Sequence, residues 1–250
     1  MLKNYIILAH RNPEHLSRML CRLDDGASRF FIHVDKQADL KPFTNAVQSE
    51  KVQWLEERIN VIWADFSMVQ GILNLMRAVS KTGTSGFTIL LSGADYPIKD
   101  NRRMNAFLKR NSGVNFITLS EVEPGSQAYE EMFCRRKINR SNERGDYELR
   151  PCGVDDSLGC LDTPLLKGDT WFAMNSYTLS KILDFVQSHW VCLYEYYKER
   201  VFADETFFQA IVSHLARRDY RIRIQPALTY VDWNPKTEDE KLPRVLGKND

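Results

Sequence analysis

The chain is expected to fold as one α/β domain, residues 1–250, around a mostly parallel central sheet flanked by helices. Three observations lead there. Short apolar runs alternate with helical patterns through the first half, the order in which βαβ units read. Turn-forming and acidic residues gather where those runs end, and open parallel sheets bind ligands at the carboxyl ends of their strands. The composition, 43% hydrophobic and 27% charged over 250 residues, suits one soluble domain with a full core.

Taken in order, Tyr5–Ala9 reads as a buried strand, and Asn12-Pro13 as an N-cap followed by proline at the first helical position. Leu16, Met19, Leu20 and Leu23 then recur at helical spacing until Asp24-Asp25-Gly26. Arg29–Val34 is the second strand and Asn60–Trp63 the third. Ser67 is placed to cap a helix with Val69, Ile72, Leu73, Met76 and Val79 on one face. Phe87–Leu91 is the fourth strand, Met104–Lys109 a helix, and Val114–Leu119 another strand. From Glu121 to Lys167 the chain is polar and irregular, the kind of long excursion that is functional or disordered in compact domains. Regular structure returns with a strand over Thr170–Met174, helices over Thr178–Ser188 and Asp204–Arg217, and strands over Arg221–Gln225 and Leu228–Val231.

The 34 basic and 33 acidic residues leave a net charge of +1. No basic run of the kind that grips a phosphate backbone is present, so nucleic acid is not an expected partner. No segment approaches the roughly 18 apolar residues of a membrane span. Tyr5–Ala9 is too short for a signal segment and is cut off by His10-Arg11. The five cysteines fit no metal spacing. Cys152 and Cys160 could pair across a loop, but reduced thiols in a cytosolic protein are the expectation.

The usual glycine-rich signatures of nicotinamide and P-loop chemistry are absent, as is the nucleophile elbow of α/β hydrolases. The His10…His15 spacing fits no zinc motif. Carboxylates at strand ends and helix starts say more. Asp35 follows the apolar run Phe30–Val34, where it can accept from a ribose or uracil, or simply form a turn. In Ser92–Pro97, Gly93 allows close backbone approach to a ligand beside Asp95, and an ordinary strand-to-helix turn reads the same way. Asp204 is placed as an N-cap with Glu205 in the first turn, where the helix dipole favours an ionised carboxylate suited to general-base work on a sugar hydroxyl. First turns also carry acids for stability alone. Trp171 and Trp233 lie beside polar or acidic residues and could stack on pyranose faces, with core packing as the default. Arg135, Arg136, Lys137 and Arg140 form the densest basic stretch, equally readable as a solvated loop or a ligand contact.

The joint order of Tyr5–Arg11, His33–Lys36, Val61–Trp63, Leu91–Lys99, Gly168–Trp171, Asp204–Gln209 and Asp232-Trp233 resembles the core-2/I-branching glycosyltransferases. That family includes β-1,6-N-acetylglucosaminyltransferases and peptide O-xylosyltransferases. The resemblance implies a GT-A-type nucleotide-sugar fold and inverting transfer from a UDP-sugar, N-acetylglucosamine first and xylose next, to a hydroxyl of a glycan or glycoconjugate acceptor. It implies no cofactor and no divalent metal, and His33–Lys36 indeed lacks a second carboxylate two residues after Asp35. By resemblance Glu205 is the catalytic base. Ala9, His10, Asp35, Ser92, Gly93, Asp95 and Trp171 would bind the UDP-sugar, and Glu121, Arg135, Arg136, Asp204 and Trp233 the acceptor.

One departure stands out. The family's basic segment near the carboxyl end, which stabilises the leaving diphosphate, is expected to be missing after Leu242–Asp250: either the sequence stops short of it, or Arg221 or Arg223 takes its place. A bacterial, cytoplasmic protein, peripheral at the inner membrane, is the expected setting. A non-catalytic glycan- or nucleotide-binding module, or a sugar-nucleotide hydrolase, are the alternative functions.

Overall fold

The computed structural model describes residues 1–137, 147–149, 159–234 and 243–247. Lys137 and 147–149 are described as backbone. The part of the Arg135–Arg140 stretch beyond Lys137, and Cys152, lie outside the described residues.

Seven strands form the central sheet: β1 (Lys3–Ala9), β2 (Ser28–Val34), β3 (Val52–Trp54), β4 (Phe87–Ser92), β5 (Val114–Ile117), β10 (Phe172–Asn175) and β11 (Arg223–Gln225). Their order is β11-β5-β10-β4-β1-β2-β3. All neighbours are parallel except β10, which runs antiparallel to both β4 and β5. Short ribbons pair β6 (Ser120–Glu121) with β9 (Leu166–Lys167), and β7 (Arg135–Lys137) with β8 (Tyr147–Leu149).

The apolar runs read from the sequence are buried because helices cover both faces. On one face Ile6, Phe31, Leu90, Phe172 and Met174 pack on α3 (Phe66–Lys81), α6 (Ser176–Ser188), α7 (Trp190–Tyr197) and α8 (Phe207–Ala216). On the other, Tyr5, Ile7, Phe30, Ile32 and Val34 meet α1 (Pro13–Leu23) and α2 (Lys41–Ala46), while Phe87 and Phe116 meet α4 (Asn101–Arg110). Alternate residues of β1 thus serve opposite layers, as the period of two requires.

Several local expectations yield to tertiary bonds. Asn60–Trp63 is not a strand; Val52–Trp54 is the third strand instead. Leu228–Val231 is also irregular. Asn12 lies in the left-handed region, φ 57°, and makes no side-chain cap. Asp65, not Ser67, caps α3 by accepting from the Ser67 amide at 2.8 Å, while the Ser67 hydroxyl accepts from Ile62 at 2.9 Å. The expected helix from Asp204 breaks into a 3₁₀ turn, Ala203–Glu205, followed by α8. Within the Glu121–Lys167 excursion, α5 (Gln127–Tyr129) runs into a π-helical turn, Glu130–Cys134. Cys134 is disulfide-bonded, which corrects the expectation of five reduced thiols, whereas Cys21, Cys160 and Cys192 are free. Among the described residues no helix is long and apolar enough to cross a membrane.

Candidate active site

The carboxyl ends of β1, β2 and β4 lie side by side because the three strands are parallel and in register: Ala9 pairs with Val34, and Leu8 with Ser92. Ala9, Asp35 and Gly93 are therefore immediate neighbours. The Asp35 amide donates to the Ala9 carbonyl at 2.8 Å, and the Gly93 amide to the Leu8 carbonyl at 2.8 Å. A Cβ at Gly93 would sit 3.0 Å from that of Ala9, a contact so tight that a larger residue would push the two strand ends apart by a few tenths of an ångström. The antiparallel β10 brings its amino end to the same edge, and Gly168–Trp171 arrive there with it.

Asp35 is buried, and both its carboxylate oxygens hold main chain: Oδ1 accepts from Gln37 at 2.8 Å and Oδ2 from Val61 at 2.7 Å. His33 accepts from the Ile59 amide at 2.9 Å. These bonds pull 59–63 across the strand ends and explain why that run is not a strand. Asp35 thus ties the loop after β2 and the 59–63 segment together through both carboxylate oxygens. Asp95 likewise turns back on its loop, accepting from the Ser92 amide at 2.6 Å, and burial pushes its carboxyl up. The Ser92 hydroxyl accepts from Ala94 at 3.2 Å. His10 stands beside them at the surface, its imidazole held below the ordinary range by partial desolvation and by Arg11, against the pull of Asp35.

Glu205 is a strongly perturbed carboxylate at this edge. Partial burial first, then the negative charges of Asp204 and Asp169, push its pKa up to about 8, with Lys167 opposing. This reverses the expectation of a carboxyl kept ionised by a helix dipole, because Glu205 ends the 3₁₀ turn and precedes Thr206, the residue before α8. Its main chain is clamped on both sides. The Glu205 amide donates to Phe202 at 3.0 Å, and its carbonyl accepts from Gly168 at 2.9 Å. Gly168 can be nothing larger: a Cβ would stand 2.0 Å from the Thr118 carbonyl oxygen. Asp169 is held by the Thr118 hydroxyl at 3.2 Å, and its carbonyl accepts from Gln209 at 2.8 Å.

Asp204 is not the N-cap, which is Thr206 for α8. It is 6% exposed, and its Oδ2 accepts from the Thr170 hydroxyl at 2.6 Å. Its Oδ1 has no partner, and burial pushes its carboxyl up. It acts on Glu205 as a buried neighbour.

Sequence reasoning left three groups out of the site. Lys167 and Asp169 flank Gly168, and their effect on Glu205 needs the fold that brings 167–169 against 205. Trp63, 49% exposed, stands edge-on to Phe202 with ring centroids 5.4 Å apart. The Phe202 amide donates to Ala64 at 3.0 Å, and Ala64 and Phe202 both hold positive φ, 58° and 57°. Such left-handed residues cost on the order of 1 kcal/mol each and gather where function fixes the backbone.

The remaining expected residues stand in different surroundings. Glu121 is exposed on β6, in register with Leu166, two residues from Gly168. Trp171 is half-buried against the core that includes Phe172 and Phe208. Trp233 is 56% exposed, one residue after Asp232, which is ion-paired to Arg244. Arg136 turns its guanidinium onto the carbonyls of Phe133 and Arg135, while Arg135 lies 3.9 Å from Glu131. Arg221 and Arg223 cannot serve this edge: Arg223 pairs with Val114 at the amino end of β5, and Arg221 is forked onto Asp219 at 2.9 Å and stacked on Tyr177. Among the described residues no three His, Cys, Asp or Glu side chains are grouped to hold a metal.

The family profile described as "Core-2/I-Branching enzyme" matches residues 4–250. Xylosyltransferase 2 of Rattus norvegicus is 30% identical over 119 residues, covering 45% of this chain and 14% of that protein. Xylosyltransferase 1 of the same species is 29% identical over the same length and with the same coverage. The human β-1,3-galactosyl-O-glycosyl-glycoprotein β-1,6-N-acetylglucosaminyltransferase is 26% identical over 182 residues, 68% of this chain and 39% of that protein. The chain thus spans well under half the length of each.

Proposed function

This chain belongs to the core-2/I-branching enzyme family, and we propose on that basis that it transfers a sugar from a UDP-sugar to a hydroxyl of a glycan acceptor, with inversion and without a divalent metal. N-acetylglucosamine and xylose are the donors to try first, after the relatives named for them. The observation that carries the reading is Glu205: a clamped, partly buried carboxylate with its pKa raised to about 8, at the strand edge where open sheets bind ligands.

A base works best when its pKa lies near the operating pH. Ionised Glu205 takes the proton of the acceptor hydroxyl as that oxygen attacks the anomeric carbon. The bond from that carbon to the UDP oxygen breaks on the opposite face, and UDP leaves with the electron pair. One displacement inverts the anomeric centre. Gly93 and Ala9 form the floor under the nucleotide, with Asp35 fixing the wall beside it. Trp171 lines the sugar pocket, and Glu121 and Trp233 stand on the acceptor side. Arg11 just after β1, Lys36 just after β2 and Lys167 beside Glu205 are the cations at this edge that would meet the leaving diphosphate in place of a metal.

The test is UDP release from a panel of UDP-sugars, with and without simple glycan acceptors, in EDTA. Acceptor-dependent release that persists in EDTA and vanishes in Glu205→Gln, with UDP still bound, supports the proposal. Binding of UDP without release from any donor points to a binding module instead, and release abolished by EDTA overturns the metal-free mechanism.

A further inference from the structure

The face next to the donor loop carries a charge the chain as a whole does not. The net charge is +1 over 250 residues. Yet Arg18 and Arg22 project from adjacent turns of α1 and, with Ser17, Cys21 and Tyr96, line an open hollow of about 340 Å³. Asn101, at the start of α4, donates to the Arg22 carbonyl at 3.0 Å, which brings Lys99, Arg102 and Arg103 beside that hollow. Among the described residues Arg18, Arg22 and Lys99 have no ion pair; Arg103 faces Asp100 at 3.5 Å, Glu14 is exposed on α1, and the nearby Asp24 and Asp25 are paired with Lys51 and Lys3. Between the arginines and lysine the loop pushes two apolar groups into solvent, Tyr96 at 51% and Ile98 at 77% exposure. His15 fixes the loop to α1, its Nε2 lying 3.0 Å from the Asp95 carbonyl oxygen.

We propose that this face docks on an anionic lipid bilayer, with Arg18, Arg22, Lys99 and Arg102 against the headgroups and Ile98 and Tyr96 inserted at the interface. Charge complementarity and the protruding apolar pair argue for a membrane. A soluble anion needs the cations alone, whereas a bilayer uses both, the cations through the surface potential and the apolar tips through burial in the interfacial layer. Docking is independent of the catalytic reading.

The experiment is co-sedimentation of the whole chain with vesicles of phosphatidylcholine, against vesicles in which about a third of the lipid is phosphatidylglycerol. Wild type pellets with the anionic vesicles, not with the neutral ones, and is released as salt shortens the screening length. The double variant Arg18→Glu/Arg22→Glu loses at least tenfold in vesicle affinity, as does Ile98→Asp alone. Arg77→Glu, which changes charge on the opposite layer, leaves it unchanged. All these sites are exposed, and thermal melts confirm that each variant folds. Equal binding to both vesicle types overturns the proposal, as does loss with Arg77→Glu equal to that with the double variant. Binding that ignores Ile98 overturns it too, because it makes the face a site for soluble anions.

Discussion

The amide of Gly168 donates to the carbonyl oxygen of Glu205 at 2.9 Å, across 37 residues of sequence, and that bond sets where the candidate base stands. Gly168 is itself pressed on Thr118, with no room for a Cβ. Gly168→Ala therefore displaces 167–169 from 205. The expected outcome is a loss of about 100-fold or more in kcat, since roughly 1 Å of misplacement at a reacting group has that effect. A lower Tm should accompany it. Steady-state UDP release with a melt on the same sample checks both.

Activity should rise with pH. The proposed base works ionised, and burial with Asp204 and Asp169 holds its pKa at about 8. The acid limb of kcat/KM should thus fall about tenfold per pH unit below that value and level off above it. A limb near the ordinary glutamate range would show that Glu205 is not the titrating group.

Stability should carry the opposite sign. A carboxyl raised from 4.5 to about 8 in the folded state destabilises the fold as pH rises, because the unfolded chain releases its proton first. Glu205→Gln removes that cost. It should leave Tm unchanged below about pH 4.5, gain progressively up to pH 8, and plateau beyond. The gain at plateau is on the order of 2 kcal/mol once the solvent-facing side of the carboxyl is discounted. Thermal melts across that pH range measure it.

Asp204→Asn tests how the neighbour acts. It removes a negative charge beside Glu205, so the acid limb should move to lower pH, and it keeps a group able to meet the Thr170 hydroxyl. Thr170→Val instead leaves the Asp204 carboxyl without its donor, which should cost about 1–3 kcal/mol of stability. If Asp204→Asn changed acceptor KM alone, the residue would belong to acceptor binding.

Arg221→Gln should leave donor KM and kcat within about twofold and Tm nearly unchanged, because exposed ion pairs contribute little to stability. Its guanidinium is held by Asp219 and Tyr177 at the amino end of the sheet, away from the carboxyl edge. A large rise in donor KM would return Arg221 to the diphosphate.

Some of this was legible in the chain alone. β1, β2 and β4 could be read because a strand buried on both faces must be apolar throughout, and that requirement is written in consecutive residues. Glu205 was nominated by its place in a motif, and α1 and α3 by their periodic apolar faces. The run Val61-Ile62-Trp63 misleads for the same reason: it has strand composition, but Asp35 and Ser67 take the amides of Val61 and Ile62.

The sequence by itself determined which segments must be buried and which acids stand at their ends, since burial and turn formation depend on near neighbours. Only the tertiary structure decided what those acids do. Asp35 holds main-chain amides with both oxygens and Asp95 with one, and Asp204 goes inward to Thr170. Arg221 and Arg223 fall at the wrong end of the sheet. The ionisation of Glu205 is set by burial and by Asp169 and Lys167, which lie 36 and 38 residues earlier in the chain. Solvation and Coulomb forces act through space, and no local pattern encodes the distances on which they depend.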